Sequence, residues 1–304
     1  MMKNQKIIAI TGPSASGKTK LSVEVAKALN GEIISVDSRQ IYKELDIGSA
    51  KPTIEERCGI PHYLIDVVNV KQEYTVADFA DEAAIKIKEI IEKGKVPILV
   101  GGTGLYFRVL LQDFDLPRVA PNNELRAELD KLSNEELYSK LLKEDEVLAN
   151  KIHFNNRVKI IRALEVCITL GMPMSQAQKK KENPYNVLWF GLNAQNRDFL
   201  YERINKRVDI MFEQGLLNEA KSLFEKYGEN KILMNTIGYQ ELYPYLKGET
   251  DLNSVIDLLK QNTRRYAKRQ ISWFNANKAI KWFNIENDLP ENMTMSVILD
   301  YKKM

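Results

Sequence analysis

At 304 residues the chain is about twice a typical domain length, so one large domain or a core carrying a second module is expected. Hydrophobic residues make up 44%, charged residues 28%, and there are only 15 glycines and 10 prolines, which excludes a collagenous or disordered chain. A net charge of +3 from 44 basic and 41 acidic residues excludes a general polycation, so any nucleic-acid partner has to be read from local clusters.

The first apolar run, Ile7 to Ile10, ends at Thr11-Gly12 and is too short for a signal-peptide core or a membrane span, so no membrane partner is expected. It reads as a strand from Lys6 to Thr11. Further strand-like runs follow at Glu32 to Val36, Tyr63 to Val68 and Val96 to Val100, with helical patterns after most of them. One such helix starts at a Thr75-Val-Ala-Asp78 capping signal, carries Phe79, Ala83, Ile87, Ile90 and Ile91 at helical spacing, and closes near Gly94. This alternation predicts an α/β fold with a parallel sheet. From about Pro117 to Pro184 strand runs vanish and short charged helices take over, one behind a Ser133-Asn-Glu-Glu136 capping pattern. The strand Val187 to Leu192 then returns to the sheet. Helices from Arg197 to Gly215, Leu216 to Tyr227 and Leu252 to Asn275 follow, and a last strand, Ile280 to Phe283, completes the core. The expected organisation is a discontinuous core, 1–116 and 185–304, around a helical insertion domain, 117–184.

Between the first strand and the first helix stand Gly12, Pro13, Ser14, Ala15, Ser16, Gly17, Lys18 and Thr19, the strand-loop-helix setting that a Gly-x-x-x-x-Gly-Lys-Thr loop requires. Its glycines let the loop turn back on itself, and its amides and the helix N-terminus face phosphate oxygens. Lys18 adds a positive charge, and Thr19 can reach a magnesium ion (Mg2+). The loop argues for diphosphate binding and leaves open whether ATP or any other nucleoside triphosphate binds; a surface turn is the bland alternative.

A nucleotide phosphohydrolase would carry a metal-holding Asp at the end of an apolar strand, yet Val96 to Val100 runs into Gly101-Gly-Thr103-Gly with no acid until Asp113. The second strand does end in one, Asp37, followed by Ser38, Arg39 and Gln40. Carboxyl ends of neighbouring strands share one crevice in such sheets, so Asp37 and Thr103 should both face what lies beside the loop. Asp37 is a candidate general base or, alternatively, a helix N-cap.

From Lys260 to Phe283 the chain carries seven basic residues and no acid. On a helix, Arg264 with Lys268 and Arg265 with Arg269 form adjoining faces of a cationic strip suited to tracking phosphates. Tyr266, Trp273 and Phe274 accompany it, either as contacts to bases or as core packing. A second cluster comprises Lys151, His153, Arg157, Lys159 and Arg162, for which a solvated charged face is the alternative. Cys58, Cys167, His62 and His153 lack metal-ligand spacing, so catalytic zinc is not expected, and a reducing, cytoplasmic compartment is.

The blocks GPSASGKT, VDSRQIY, DIGSAKP (46–52), LVGGTGLYF (99–107), RALEV (162–166), RINKRVDIMFEQGL (203–216), IGYQEL (237–242) and TRRYAKRQISWF (263–274) together resemble the bacterial tRNA dimethylallyltransferases, in family order over nearly the whole chain. The resemblance implies a P-loop NTPase-like core and transfer of a dimethylallyl group from dimethylallyl diphosphate to the exocyclic amine of the adenosine 3′ of the anticodon. It implies that Asp37 is the base, that Thr103 orients the amine, and that Arg207 grips the departing diphosphate. Ser38, Arg39 and Gln40 belong by the same resemblance to the substrate-facing segment. It further implies that Val158, Lys159, Ile160, Ile161 and Arg162 touch tRNA and that Arg126 helps displace the target base. The expected partners are a tRNA anticodon stem-loop and dimethylallyl diphosphate, with Mg2+ as cofactor, and the expected state is a monomer.

The chemistry suits these residue types. A five-carbon tail buried at about 0.8 kcal/mol per methylene contributes only roughly 3 to 4 kcal/mol, so the charged head should dominate donor affinity. Donors fixed on the diphosphate stabilise the negative charge that collects there as the allylic carbon ionises. A small-molecule P-loop kinase and a non-catalytic RNA-binding protein are the competing readings; the first would move a phosphoryl group, the second would form no product.

Overall fold

The computed structural model describes residues 5–111, 117–178 and 183–304. The chain divides into two compact units, Met1–Leu111 with Pro184–Met304, and Gln112–Asn183. Among the described residues of the first unit, six strands form one sheet: β1 (Gln5–Thr11), β2 (Gly31–Val36), β3 (His62–Tyr63), β4 (Val96–Gly101), β5 (Tyr185–Asn193) and β6 (Lys281–Asn284). Their order is β3-β2-β4-β1-β5-β6, every pair parallel. No described helix is long and apolar enough to cross a membrane.

The sheet is covered on both faces, which is why its central strands read as unbroken apolar runs rather than alternating ones. Ile7 and Ala9 of β1 join Ile34 and Leu99 on one face, under Phe79, Ala83 and Ile87 of the helix Val76–Glu92 and Tyr106 and Phe107 of the helix Gly104–Leu111. Ile8 and Ile10 join Ile33, Ile98 and Phe190 on the other, under Leu21 and Val25 of the helix Lys18–Leu29 and Met293 and Val297 of the helix Pro290–Lys303. A third apolar cluster packs Ile41, Tyr42 and Leu45 among Val208, Leu216, Leu223, Tyr239 and Leu259.

Two expectations of the sequence need correction. The run Tyr63 to Val68 stops being a strand at Tyr63, because Leu64 (φ +59°) and Asp66 (φ +58°) are left-handed and turn the chain; Val67 and Val68 then donate to the Ile41 carbonyl instead. Nor does the core end at the last strand: Pro290, at the first position of the helix Pro290–Lys303, starts a helix that helps close one face of the sheet.

The second unit is all helical among its described residues. Helices Asn123–Leu129, Asn134–Glu144, Glu146–Ala149, Arg157–Leu170 and Met174–Ala177 close around Leu137, Leu141, Ile160 and Leu164, a core of its own. The expected Ser133–Glu136 capping box forms in both directions, as does that of Thr75 with Asp78 in the first unit.

Candidate active site

The glycine-rich loop leaves β1 and enters the helix Lys18–Leu29. Gly12 (φ +145°) lies so close to β5 that a Cβ would stand 2.4 Å from the Leu192 carbonyl oxygen, and Gly17 (φ +93°) forms the N-cap without a side-chain bond. The first helical amides therefore have no intrahelical partner and point into the loop, a setting for an anion. Inside it, Ser16 Oγ is buried with no hydrogen-bond partner. Lys18 Nζ donates to the Gly12 and Pro13 carbonyls at 3.0 and 2.7 Å. Burial and then the positive charge of Arg207 bring the Lys18 pKa down to about 7, with Asp37 opposing. Arg207 is likewise lowered by burial, with Glu56 and Asp37 opposing. Two crowded cations that Asp37 and Glu56 only partly offset are electrostatically prepared for a further anion.

Register pairs Val36 of β2 with Gly101 of β4, which brings the two following turns together. The Thr103 amide donates to the Val36 carbonyl at 3.2 Å, and the Ser38 amide donates to Thr103 Oγ1 at 3.1 Å. Asp37 Oδ1 accepts the amides of Arg39 (2.8 Å) and Gln40 (3.4 Å), so it caps a turn rather than a helix. Tyr266, on the helix Leu252–Phe274, is pushed up to about 12 by burial and then by the charge of Asp37. Gln40 donates to the Ala50 carbonyl at 3.1 Å, and Arg207 reaches the same oxygen at 3.4 Å; Arg39 donates to the Asn235 carbonyl. The structure thus brings Lys18, Asp37, Thr103 and Arg207 into one site.

Three contributors escaped sequence reasoning. Arg203, one helical turn before Arg207, donates to the Ala15 carbonyl of the loop at 2.9 Å; its i,i+4 spacing from Arg207 was the available signal. Glu219 accepts the amides of Asp46, Ile47 and Gly48 at 3.1, 2.8 and 2.9 Å and the Tyr239 hydroxyl at 2.7 Å, and so holds the loop that ends in Ala50. Gln270 bonds both the Ser14 amide and the Gly102 carbonyl.

The cationic strip lies on the helix Leu252–Phe274. Lys260 is paired with Asp209 and Arg264 donates to Asn205, whereas Arg265 and Lys268 are exposed and Arg269 lies over the Tyr266 ring. Core packing is the right reading for Phe274, buried edge-on against Phe107, while Trp273 is 43% exposed.

In the helical unit the expected contact segment divides by burial. Ile160 and Ile161 are packed in its core, 0% and 7% exposed; the helical period turns them inward while Val158 (80% exposed) and Lys159 face out. Arg126 and Arg162 both bond the buried Glu165, Arg126 in a two-pronged pair at 2.8 Å, and the Asn122 amide completes the carboxylate's shell at 2.7 Å. Both arginines are therefore anchored rather than loosely presented.

The IPP transferase family matches residues 40–277. The tRNA dimethylallyltransferase of Enterococcus faecalis is 47% identical over 298 residues, covering 94% of this chain and 95% of that protein, and its counterpart from Halalkalibacterium halodurans is 45% identical, covering 92% and 91%. Among solved structures, the tRNA delta(2)-isopentenylpyrophosphate transferase of Staphylococcus epidermidis superposes with a TM-score of 0.73 at 39% identity, covering 99% of each chain. With a family match over most of its length and relatives this similar over nearly all of theirs, the chain belongs to the tRNA dimethylallyltransferase (IPP transferase) family.

Proposed function

We infer that the chain transfers the dimethylallyl group of dimethylallyl diphosphate to the exocyclic amine of the adenosine 3′ of a tRNA anticodon, releasing diphosphate. The observation that carries this reading is the placement of a cationic cradle, Lys18 and Arg207 at the Gly12–Thr19 loop, beside an acid and a hydroxyl, Asp37 and Thr103, on adjoining strand ends. The allylic C–O bond breaks as the adenine nitrogen forms its bond to carbon. Negative charge gathers on the diphosphate, where loop amides, Lys18 and Arg207 neutralise it. An adenine amine is far too weak an acid for a carboxylate to deprotonate beforehand, so Asp37 accepts the proton as the nitrogen becomes cationic. Thr103, fixed by the Ser38 amide, orients that amine.

Among the described residues no three His, Cys, Asp or Glu side chains gather as a metal site. The hydroxyls of the loop nevertheless fit a magnesium ion, which Thr19 would hold together with diphosphate oxygens and water; Ser16 Oγ, in the same loop, is buried without a partner. Such an ion supplies further neutralisation of the leaving group when bound. Arg265, Lys268 and Arg269 supply phosphate contacts for the tRNA, and an unpaired loop nucleotide costs less to extrude than a duplex one. One thiol is exposed and the other buried, both free, which suits a reducing cytoplasm. Incubation with labelled donor and bulk tRNA, then digestion to nucleosides, tests the reading: label in a modified adenosine supports it, and label in no nucleoside overturns it.

A further inference from the structure

We propose that Gln270 is a positioning residue that sets the separation between the diphosphate cradle and the acceptor side of the site. The proposal rests on the transfer reading above. Gln270 is 6% exposed, near the C-terminal end of the helix Leu252–Phe274, and its amide bridges the loops that follow β1 and β4, beyond the last paired residues Thr11 and Gly101. Its Oε1 accepts the Ser14 amide at 3.0 Å, inside the glycine-rich loop. Its Nε2 donates to the Gly102 carbonyl at 3.1 Å, one residue before Thr103. The two partners fix the amide's orientation, because an N–H can only donate and a carbonyl can only accept.

The seat is shaped for this side chain. A Cβ on Gly102 would lie 2.0 Å from Gln270 Nε2, and a Cβ on Gly104 would lie 2.1 Å from Trp273, three residues further along the same helix. Gly102 and Gly104 thus form a notch into which one face of the helix settles. Arg265, Lys268 and Arg269 ride on this helix, so the surface proposed for RNA is tied through Gln270 to both halves of the reaction. Ser14 belongs to the loop proposed for the diphosphate, and Gly102 adjoins Thr103. The span of one side-chain amide therefore governs how far the allylic carbon stands from the attacking nitrogen.

A displacement of about 1 Å in a near-attack geometry costs on the order of 100-fold in rate. Gln270→Met keeps the length and loses both hydrogen bonds; Gln270→Glu keeps an acceptor for Ser14 but sets a carboxylate oxygen against the Gly102 carbonyl. The experiment compares the single-turnover rate at saturating dimethylallyl diphosphate and tRNA with the separate affinities for inorganic pyrophosphate and for tRNA. For both variants the expected result is a rate loss of about 100-fold with each affinity within about threefold of wild type. Gly102→Ala, which forces Nε2 away, should lose rate similarly, and joining it to Gln270→Ala should cost no more than either change alone. If Gln270→Met is too unstable to purify, Gln270→Glu and Gly102→Ala carry the test. A variant that turns over as fast as wild type overturns the proposal, and so does a rate loss wholly accounted for by weaker pyrophosphate binding. A wild-type chain that alkylates no tRNA sinks the transfer reading itself, an outcome distinct from a competent wild type beside an equally fast variant.

Discussion

Lys18 holds a proton weakly for a lysine, at about 7, because its ammonium is buried and faces Arg207, a pair that Asp37 only partly offsets and a further anion would balance. Pyrophosphate supplies that anion and pulls the pKa back up, so binding takes up a proton wherever the free lysine is neutral, above pH 7. Affinity for pyrophosphate should then fall by up to about tenfold per pH unit above 7, and Lys18→Arg, which cannot lose its charge, should remove that part of the slope while the ligand's own ionisation stays common to both. Calorimetric titration of both proteins across pH checks this. The stability of the ligand-free protein runs the other way. Between about 7 and 10.5 the unfolded lysine binds a proton that the folded one does not, so this residue's contribution rises with pH across that window and is lost as pH falls through 7. Asp37 offers the complementary test. Asp37→Asn keeps an oxygen for the Arg39 amide but cannot take up the amine's proton, so turnover should drop by 10² to 10⁴, on the order expected for general-base loss. Filter binding should find tRNA affinity unchanged; full turnover would remove Asp37 from the role of base.

At the scale of elements, the loop Asp46 to Ala50 owes its shape to a helix more than 150 residues away in sequence, through the Glu219 carboxylate and its four donors. Glu219→Gln puts an NH2 group against backbone amides that need an acceptor, and each donor stranded in this way costs about 1 to 3 kcal/mol. Denaturant unfolding should register a loss in that range, with Tyr239→Phe, which removes only one donor, losing less; equal losses would show that the hydroxyl, not the amides, carries the clamp. The same contrast explains which parts of the fold the sequence revealed. Thr75 with Asp78, Ser133 with Glu136 and the Gly12–Thr19 loop are local devices, complete within eight residues, and each was legible. The break after Tyr63 was not, because left-handed Leu64 and Asp66 are imposed from outside: Asp66 binds the buried ammonium of Lys51, which also holds Asp46. The pairing of Arg126 was not legible either, because its partner, Glu165, lies 39 residues on. Gln270 carried no signal at all, since a polar residue within a basic helix looks like solvated surface until the Gly102 notch is folded around it.

Across the whole molecule, each of the two compact units carries apolar clusters of its own, the first on both faces of its sheet and the second around Leu137 and Ile160. Separate cores predict separate stabilities, and Glu165 is the lever for one of them. Its side chain is fully buried, and burial alone would raise its pKa. The bonds from Arg126, the Asn122 amide and Arg162 outweigh that and hold it below the usual carboxylate value. Glu165→Gln leaves two arginines without their counter-charge and should cost about 3 kcal/mol, toward the lower part of the range for a broken buried pair because both guanidinium groups keep some water. Because the folded pKa is lowered, the carboxylate's advantage over glutamine is complete above the ordinary value of 4.5 and should vanish as pH falls through the lower, folded one. Hydrogen exchange followed by mass spectrometry gives the deciding readout. Amides within 117–178 should lose protection in Glu165→Gln while those of β1, β2 and β4 keep theirs, and pyrophosphate affinity should not change. Protection lost evenly from the sheet as well would mean that the two cores melt as one, and the helical unit would then be a buttress of the catalytic core rather than a domain with its own stability.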